Sequence, residues 1–152
     1  MRGSIFASLM FVATLALADD ARFGCHNGFH VLWSKYEDQV WAYNPPNSRI
    51  LIATKLIMQK DGNLVLYGYQ RGYEKALWAS ATNGSGANVA VFQCDGNLVV
   101  YNGTKAVWAA SRTPGFQFGG NQLSVQMDGN LVIYDTTNPR NRRVMWTANS
   151  QQ

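Results

Sequence analysis

Ionisable side chains are scarce in this chain of 152 residues, which has 13 lysines and arginines, 9 aspartates and glutamates, and a formal net charge of +4. A nucleic-acid-binding surface needs a broad basic patch. The basic cluster of Arg140, Arg142 and Arg143 lies in a stretch rich in Pro and Asn. We therefore interpret the cluster as a solvated loop and expect no nucleic-acid partner.

Cysteine and histidine are equally rare, with two of each. Cys25, His26 and His30 are too crowded to match known zinc-finger spacings, so we expect no metal and no cofactor. In a secreted chain, an even number of cysteines favours a disulfide, here Cys25–Cys94. A free, buried Cys94 is the alternative.

Catalytic groups are missing in the same way. A glycosidase needs two opposed carboxylates, but each sequence repeat described below holds one. Nucleophilic catalysis needs a Ser or Cys beside a base, and both histidines lie before the repeats. We therefore expect no enzymatic activity.

Long apolar runs are absent after the first residues. Residues 5–18 are almost wholly apolar, follow the positive charge of Arg2, and end in the A-x-A pattern of a cleavage site. The run is too short to cross a bilayer. We therefore predict a signal peptide over residues 1–18, one domain over residues 19–152, and a secreted, extracellular protein without membrane insertion.

One short pattern occurs three times, as QKDGNLVLY, QCDGNLVVY and QMDGNLVIY. Asp-Gly between alternating hydrophobic residues predicts a hairpin whose glycine has a positive φ. Each copy is followed by a short strand-like segment with a tryptophan: LWAS, VWAA or MWTA. The three repeats are predicted to cover about residues 50–82, 83–113 and 114–150.

Strand alternation sorts the side chains of each repeat into two faces. No segment has the periodicity and caps of a helix, so we predict an all-β chain. One face is apolar and is predicted to face the core with Trp78, Trp108 and Trp146, whose rings would fill a three-fold axis. The predicted core residues of the strands are Leu64, Leu66, Leu98, Val100, Leu131 and Ile133. The opposite face, which carries the repeated Gln, Asn, Val and Tyr, is predicted to lie outside.

That outer face repeats more faithfully than the core face, where Lys60, Cys94 and Met127 occupy one equivalent position. Turn and strand preferences explain Asp-Gly-Asn, Val and Tyr, but not glutamine. Gln, Asn, Asp and Tyr together offer hydrogen-bond donors and acceptors, and Val adds an apolar contact. This set suits a sugar ring, whereas phosphate needs Arg or Lys and calcium needs several carboxylates close together.

The intact QxDxNxVxY pattern and the tryptophan segments resemble the monocot bulb-type mannose-binding lectins, the family of snowdrop agglutinin, over about residues 31–150. The resemblance implies a β-prism II fold: three four-stranded antiparallel sheets around a pseudo-three-fold axis. It also implies metal-independent binding of α-mannose, with mannose-containing glycans and glycoproteins as partners. The polar residues would hydrogen-bond the sugar, Asp and Asn would recognise the axial O2 that separates mannose from glucose, and Val would contact the C3–C4 edge. The implied sugar-binding residues are Gln59, Asp61, Asn63, Val65, Tyr67, Gln93, Asp95, Asn97, Val99, Tyr101, Gln126, Asp128, Asn130, Val132 and Tyr134.

The chain departs from the family pattern before and between the motifs. A Cys25–Cys94 bond would be a local variant that ties the N-terminal segment to the second sheet. That segment carries Trp33 and Trp41, which we expect in the core. The segments GYQRGYEKA and DTTNPRNRR are predicted to be long loops that rim their sites. Candidates for setting the glycan preference on them are Tyr69, Tyr73 and Arg142.

Two sequons and the C-terminus raise further expectations. Asn83 and Asn102 begin candidate glycosylation sequons, and a glycan on Asn102, next to Tyr101, would cover the second site. Members of the family often exchange the C-terminal strand, so residues 145–150 are a candidate for forming a homodimer. The leading function is a secreted mannose-binding lectin in defence, recognition or adhesion. The alternative is a β-prism with idle sugar sites that acts as an interaction or antimicrobial module.

Overall fold

The computed structural model describes residues 20–26, 30–43, 51 and 53–151, so the predicted signal peptide lies outside the described residues. These residues form twelve strands and two short 3-10 turns, Ser34–Tyr36 and Ala110–Arg112. No helix long and apolar enough to cross a membrane occurs in this part of the chain. The strands are β1 (Ala21–Phe23), β2 (Val31–Trp33), β3 (Gln39–Tyr43), β4 (Ala53–Met58), β5 (Leu64–Gln70), β6 (Tyr73–Ala79), β7 (Val89–Phe92), β8 (Leu98–Asn102), β9 (Lys105–Ala109), β10 (Gln122–Val125), β11 (Leu131–Asp135) and β12 (Arg143–Thr147).

The strands build three four-stranded antiparallel sheets, which confirms the predicted all-β, β-prism II architecture. Sheet 1 has the order β3-β4-β5-β6, sheet 2 has β2-β7-β8-β9, and sheet 3 has β1-β10-β11-β12. The last three strands of each sheet come from one sequence repeat. The first strand comes from the N-terminal segment, and the three first strands are used in reverse order. The repeats alone did not predict this origin of the first strands.

The predicted core face is buried around the axis of the prism. The apolar residues that alternate with the motif positions in β5, β8 and β11 are at most 2% exposed. They are Leu64, Leu66, Leu98, Val100, Leu131 and Ile133. Because their neighbours along each strand point the other way, this burial fixes the motif side chains on the opposite face of the sheet.

The three tryptophans meet at the centre, as predicted. The ring centroids are 5.3 Å apart for Trp78 and Trp108, 5.9 Å for Trp78 and Trp146, and 6.0 Å for Trp108 and Trp146. All three pairs pack edge to face, the geometry that aromatic quadrupoles favour, at about 0.5–1.5 kcal/mol per pair beyond the buried area. The contact therefore couples the three sheets directly.

A β-bulge occurs at the same place in every sheet. The register shifts between Leu66 and Tyr67, between Val100 and Tyr101, and between Ile133 and Tyr134. In sheet 1, Leu66 pairs with Trp78 whereas Tyr67 pairs with Ala76, which leaves one extra residue in β6. Bulges change the direction of side chains. Here each bulge falls between the residue pair that contains a core tryptophan and the next pair, which contains the tyrosine of a motif.

The Asp-Gly-Asn turns have the predicted backbone, because Gly62, Gly96 and Gly129 all have a φ of 88°. Gly96 is also enclosed by the neighbouring sheet. A Cβ at Gly96 would lie 2.5 Å from the backbone nitrogen of Gly120. This glycine is therefore needed both for its φ and for the close approach of two backbones.

The expectation that Trp33 and Trp41 lie in the core holds only in part. Both are half-buried, because their neighbours Leu32 and Val40 take the inward positions of their strands, but Trp41 packs against the core. The expectation about residues 68–76 is wrong. Residues 68–76 are not a long loop, because they continue β5 and β6 around a tight turn at Gly72, which has a φ of 90°.

The predicted disulfide between Cys25 and Cys94 is present, with a Cα–Cα distance of 5.1 Å. Cys25 follows β1 of sheet 3, and Cys94 lies in the turn of the sheet 2 motif. The bond therefore links two sheets and closes a sequence separation of 69 residues. The alternative of a free, buried Cys94 is ruled out, since Cys94 is bonded and exposed.

We predict that Gly96→Ala destabilises the protein clearly more than Gly72→Ala. Both glycines have φ near 90°, where an L-residue loses about 1–2 kcal/mol, but a Cβ at Gly72 meets nothing within 4 Å. Only Gly96→Ala must also displace backbone. The free energy of unfolding in urea measures the difference, and equal losses would contradict this packing of sheet 2 on sheet 3.

We predict that the double variant Cys25→Ser/Cys94→Ser loses about 2–4 kcal/mol of unfolding free energy, as is typical when a long closed loop is opened. Urea unfolding of oxidised wild type and of the variant tests this. Reduced wild type is the matched control and is expected to unfold at the same urea concentration as the variant. An unchanged midpoint in the variant would show that the bond does not constrain the unfolded chain.

Candidate functional site

Each motif places its glutamine beside its tyrosine on the outer face of one sheet. The glutamine side-chain Nε2 donates a hydrogen bond to the tyrosine hydroxyl in all three copies: Gln59 to Tyr67 at 2.7 Å, Gln93 to Tyr101 at 2.5 Å, and Gln126 to Tyr134 at 2.7 Å. Because the tyrosine oxygen accepts this bond, its own hydrogen is directed elsewhere. The repeated glutamine, which turn and strand preferences left unexplained, thus orients a hydroxyl donor.

The aspartate of each motif lies exposed at the turn. One carboxylate oxygen, Oδ1, accepts a hydrogen bond from the backbone N–H of the motif asparagine two residues later, at 2.9–3.0 Å. This is the Asx-turn that favours Asp at such positions. The arrangement fixes the orientation of the carboxylate.

The asparagine side chain links the Asp-Gly-Asn turn to the residues that follow the core tryptophan of the same sheet. In sheet 2, Asn97 Nδ2 donates to Ser111 Oγ at 2.9 Å, and the Ser111 backbone N–H donates to Asn97 Oδ1 at 3.1 Å. Asn97 is 7% exposed and Asn130 is 8% exposed. The expectation that these side chains lie outside is therefore wrong, since their partners cover them.

The same connection recurs in the other two sheets. In sheet 1, Ser80 Oγ and the Thr82 backbone N–H donate to Asn63 Oδ1, both at 3.2 Å. In sheet 3, Asn130 Nδ2 donates to Thr147 Oγ1 at 2.9 Å, and the Ser150 backbone N–H donates to Asn130 Oδ1 at 3.1 Å. The motif pattern alone did not predict these partners, although a Ser or Thr follows each core tryptophan within three residues.

The valine of each motif forms an apolar floor. Val65 and Val99 are 3% exposed and Val132 is 2% exposed, so the valines also depart from the prediction of an outside position. Each occupies a strand with paired neighbours on both sides, and these neighbours enclose it. Each site is thus a shallow recess: a buried valine, a half-buried Gln–Tyr pair and an exposed aspartate.

The rims of the three sites differ. Beside site 1, the Lys55 ammonium lies 5.1 Å from the centre of the Tyr67 ring. Beside site 3, the Arg142 guanidinium lies 4.6 Å from the centre of the Tyr134 ring, within cation–π range. Site 2 adjoins a cleft of about 350 Å³ whose lining includes Gln93, His26 and Asn121.

The loop at site 3 is anchored by Asp135. The pKa of Asp135 is lowered to about 2. The largest causes are hydrogen bonds from the Thr137 hydroxyl and from the Thr137 backbone N–H, and a hydrogen bond from Arg143 contributes less. The carboxylate therefore stays charged through the ordinary pH range. Unlike residues 68–76, residues 136–142 form the predicted loop between β11 and β12.

Cys25, His26 and Cys94 place their ligand atoms within 4.8 Å of one another. The two sulfurs are bonded to each other, and zinc is bound by thiolates rather than disulfides. In this state the cluster offers one histidine nitrogen and does not fit a metal ion.

The two sequons lie on the surface. Asn83 and Asn102 are exposed, and Asn102 Nδ2 donates to the backbone oxygen of Ser85 at 3.1 Å. A glycan on that nitrogen would displace this bond beside Tyr101. Use of either sequon stays a prediction.

Comparison with solved structures identifies the family. A monocot mannose-binding lectin from Gastrodia elata, described as monomeric, is 31% identical, with 86% of this chain and 98% of that chain covered at a TM-score of 0.59. This chain belongs to the bulb-type mannose-binding lectin family. The mannose-specific bulb lectin of bluebell, Scilla campanulata, is 25% identical over 88% of this lectin and 99% of its own chain, with a TM-score of 0.56. A lectin from Allium sativum is 30% identical over 77% and 93%, with a TM-score of 0.51.

A second kind of relative matches over part of the chain. The B-type lectin plumieribetin of Scorpaena plumieri is 44% identical to this bulb-type lectin over 62 residues. The match covers 40% of this chain and spans half the length of plumieribetin. No family model matches the sequence.

We predict that Asn97→Ala costs this lectin about 1–3 kcal/mol of unfolding free energy, because it leaves the Ser111 N–H without its acceptor in a covered position. Gln93→Ala, which removes one half-buried side-chain bond, is expected to cost no more than about 1 kcal/mol. Thermal or urea unfolding of the two variants decides. If Asn97→Ala is as stable as Gln93→Ala, the asparagine does not hold the turn.

Proposed function

We propose that this protein is a secreted lectin that binds α-mannose and mannose-rich glycans at three sites without a metal ion. The observation that carries the proposal is the triple recurrence of one arrangement: a tyrosine hydroxyl oriented by glutamine, an exposed aspartate and a valine floor. The mannose specificity named for the bluebell lectin supports the choice of sugar.

The chemistry of each recess matches a pyranose edge. The tyrosine O–H and the second glutamine N–H donate, and aspartate Oδ2 and glutamine Oε1 accept. Neighbouring sugar hydroxyls both donate and accept, and the C–H groups between them contact valine. No charge other than the aspartate belongs to the motif, so a neutral sugar fits better than an anionic one.

Each site alone binds weakly. About four or five hydrogen bonds at roughly 0.5–1.5 kcal/mol each, less the ordering terms of association, correspond to affinities of about millimolar. Three sites on one rigid body suit a surface with many mannose residues, where simultaneous engagement raises the apparent affinity by about 10²–10⁴-fold. The proposed binding partners are glycoproteins and cell surfaces with mannose-rich glycans, and the proposed role is defence, recognition or adhesion.

Secretion is supported by two features. The first residues have the pattern of a signal peptide, and the Cys25–Cys94 disulfide is typical of oxidising compartments. The strand-exchanged homodimer stays a prediction. In the single chain, β12 pairs with β11 of the same chain.

We predict that isothermal titration calorimetry with EDTA present detects methyl α-mannoside binding at up to three sites, and no binding of methyl α-glucoside. The triple variant Gln59→Ala/Gln93→Ala/Gln126→Ala is expected to bind mannoside about fivefold more weakly, since each site loses about 1 kcal/mol of hydrogen bonding.

Gln117→Ala is the matched control, because Gln117 is exposed in a loop and belongs to no motif. It is expected to bind like wild type. If neither methyl glycoside nor a mannose-rich oligosaccharide binds, the lectin proposal fails and the β-prism with idle sugar sites replaces it.

A further inference from the structure

The outer face of sheet 1 continues beyond its motif. Strands β5 and β6 are 7 residues long, whereas β8, β9, β11 and β12 have 5 residues each. The extra length places Tyr69 two residues beyond Tyr67, on the same face. This extension includes residues 68–76, for which the sequence pattern predicts a loop.

Tyr69 of this extension and two aromatic residues of β3 form a surface that we call the sheet 1 platform, defined as Trp41, Tyr43 and Tyr69. The centroids of Trp41 and Tyr69 lie 5.0 Å apart, and those of Trp41 and Tyr43 lie 5.8 Å apart with an angle of 15° between the planes. All three side chains are half-buried. Each of the three side chains therefore keeps part of its surface exposed, although Trp41 also packs against the core.

Lys55 joins the platform to site 1. It pairs across the strands with Trp41 on one side and Tyr67 on the other. Its ammonium lies 5.3 Å from the ring centres of Trp41 and Tyr69 and 5.1 Å from that of Tyr67. One cation thus fixes the motif tyrosine and the platform rings relative to one another.

Charge at this junction is balanced. Lys55 Nζ lies 3.5 Å from Glu74 Oε2, and the lysine side chain is 13% exposed. The pair adds hydrogen-bonding groups beside the rings without adding net charge. A neutral ligand with hydroxyl groups and C–H faces fits this surface, and an acidic sugar gains nothing from it.

Sheets 2 and 3 do not repeat the arrangement among their described residues. The position of Lys55, opposite the motif tyrosine, is Val89 in sheet 2 and Gln122 in sheet 3. The position two residues after the motif tyrosine is Gly103 or Thr136 instead of Tyr69. Sheet 2 keeps one outward tryptophan, Trp33, opposite Val89. Both sheets bury their cores without a platform, so the fold itself does not require one.

We propose that the sheet 1 platform is a second sugar subsite, which makes site 1 an extended site for a neutral oligosaccharide of at least two residues. The inference rests on the proposed function. One sugar occupies the Gln59–Tyr67 recess, and the next packs its C–H groups against the exposed parts of Trp41 and Tyr69. Tyr67 and Tyr69 are two positions apart on one strand, about 7 Å, so a second sugar linked to the first lies beside the platform. Lys55 and Glu74 then meet hydroxyls at the junction.

The test uses the full mature chain with Gln93→Ala and Gln126→Ala, which weaken sites 2 and 3 and leave site 1 intact. Calorimetry compares methyl α-mannoside with α1→2-, α1→3- and α1→6-linked mannobiose. At least one mannobiose is expected to bind site 1 about tenfold more tightly than the monosaccharide. Adding Tyr69→Ala is expected to remove that gain and to leave the monosaccharide affinity within about twofold.

Tyr73→Ala is the matched control, since Tyr73 lies on the same hairpin, is 56% exposed and is outside the platform. It is expected to keep the gain, as is Tyr69→Phe, which retains the ring. Monosaccharide binding without a gain for any mannobiose, or a gain that survives Tyr69→Ala, overturns the subsite. Absence of binding by every ligand overturns the proposed function at site 1 instead.

A second measurement does not depend on the Tyr69→Ala variant folding. In ¹⁵N-labelled protein with sites 2 and 3 weakened, the Trp41 indole N–H resonance is assigned by comparison with Trp41→Phe. The tighter mannobiose is expected to shift this resonance, and methyl α-mannoside is expected to leave it in place. If the Trp41 resonance does not shift when the disaccharide binds, the proposal is overturned.

Discussion

The edge-to-face contact of three tryptophans at the axis is the interaction on which the rest of the structure depends. Each ring lies on the last strand of one sheet, so the contact sets the positions of three strands at once. The residues that follow each tryptophan bind the motif asparagine, as Ser111 does for Asn97. The position of each core tryptophan therefore determines the position of the residues that follow it, and through them the position of the motif asparagine at the surface site.

Much of the fold was predictable because its signals are local and repeated. The Asp-Gly-Asn turns, the alternating strands and the central tryptophans each follow from a few adjacent residues. The first strand of each sheet was not predictable in this way. Strands β1 and β2 have 3 residues each, too short for a periodic pattern, and their place depends on partners far along the chain. The β5–β6 extension was misread because glycines indicate a loop and a tight turn alike.

The residues of the candidate site were predictable from the sequence, but the role of each residue in the site was less so. All five motif positions come together on each sheet, but the roles of Gln and Asn depend on contacts that the pattern does not contain. Gln93 orients Tyr101 from 8 positions away, and Asn97 holds Ser111 from 14 positions away. Differences between the three sites depend on neighbouring strands, as Lys55 and Tyr69 do at site 1. A repeated motif therefore predicts what the sites share and not what distinguishes them.

The reverse order in which the first strands are used has a consequence for how the chain folds. During synthesis β3 can pair as soon as β4 emerges, but β2 must wait for β7 and β1 must wait for β10. Ala21 finally pairs with Val125, near the other end of the domain. Such distant pairing slows folding and leaves unpaired strand edges open to other chains until it is complete. Of the described strands, β1 is therefore synthesised first and waits longest for its partner.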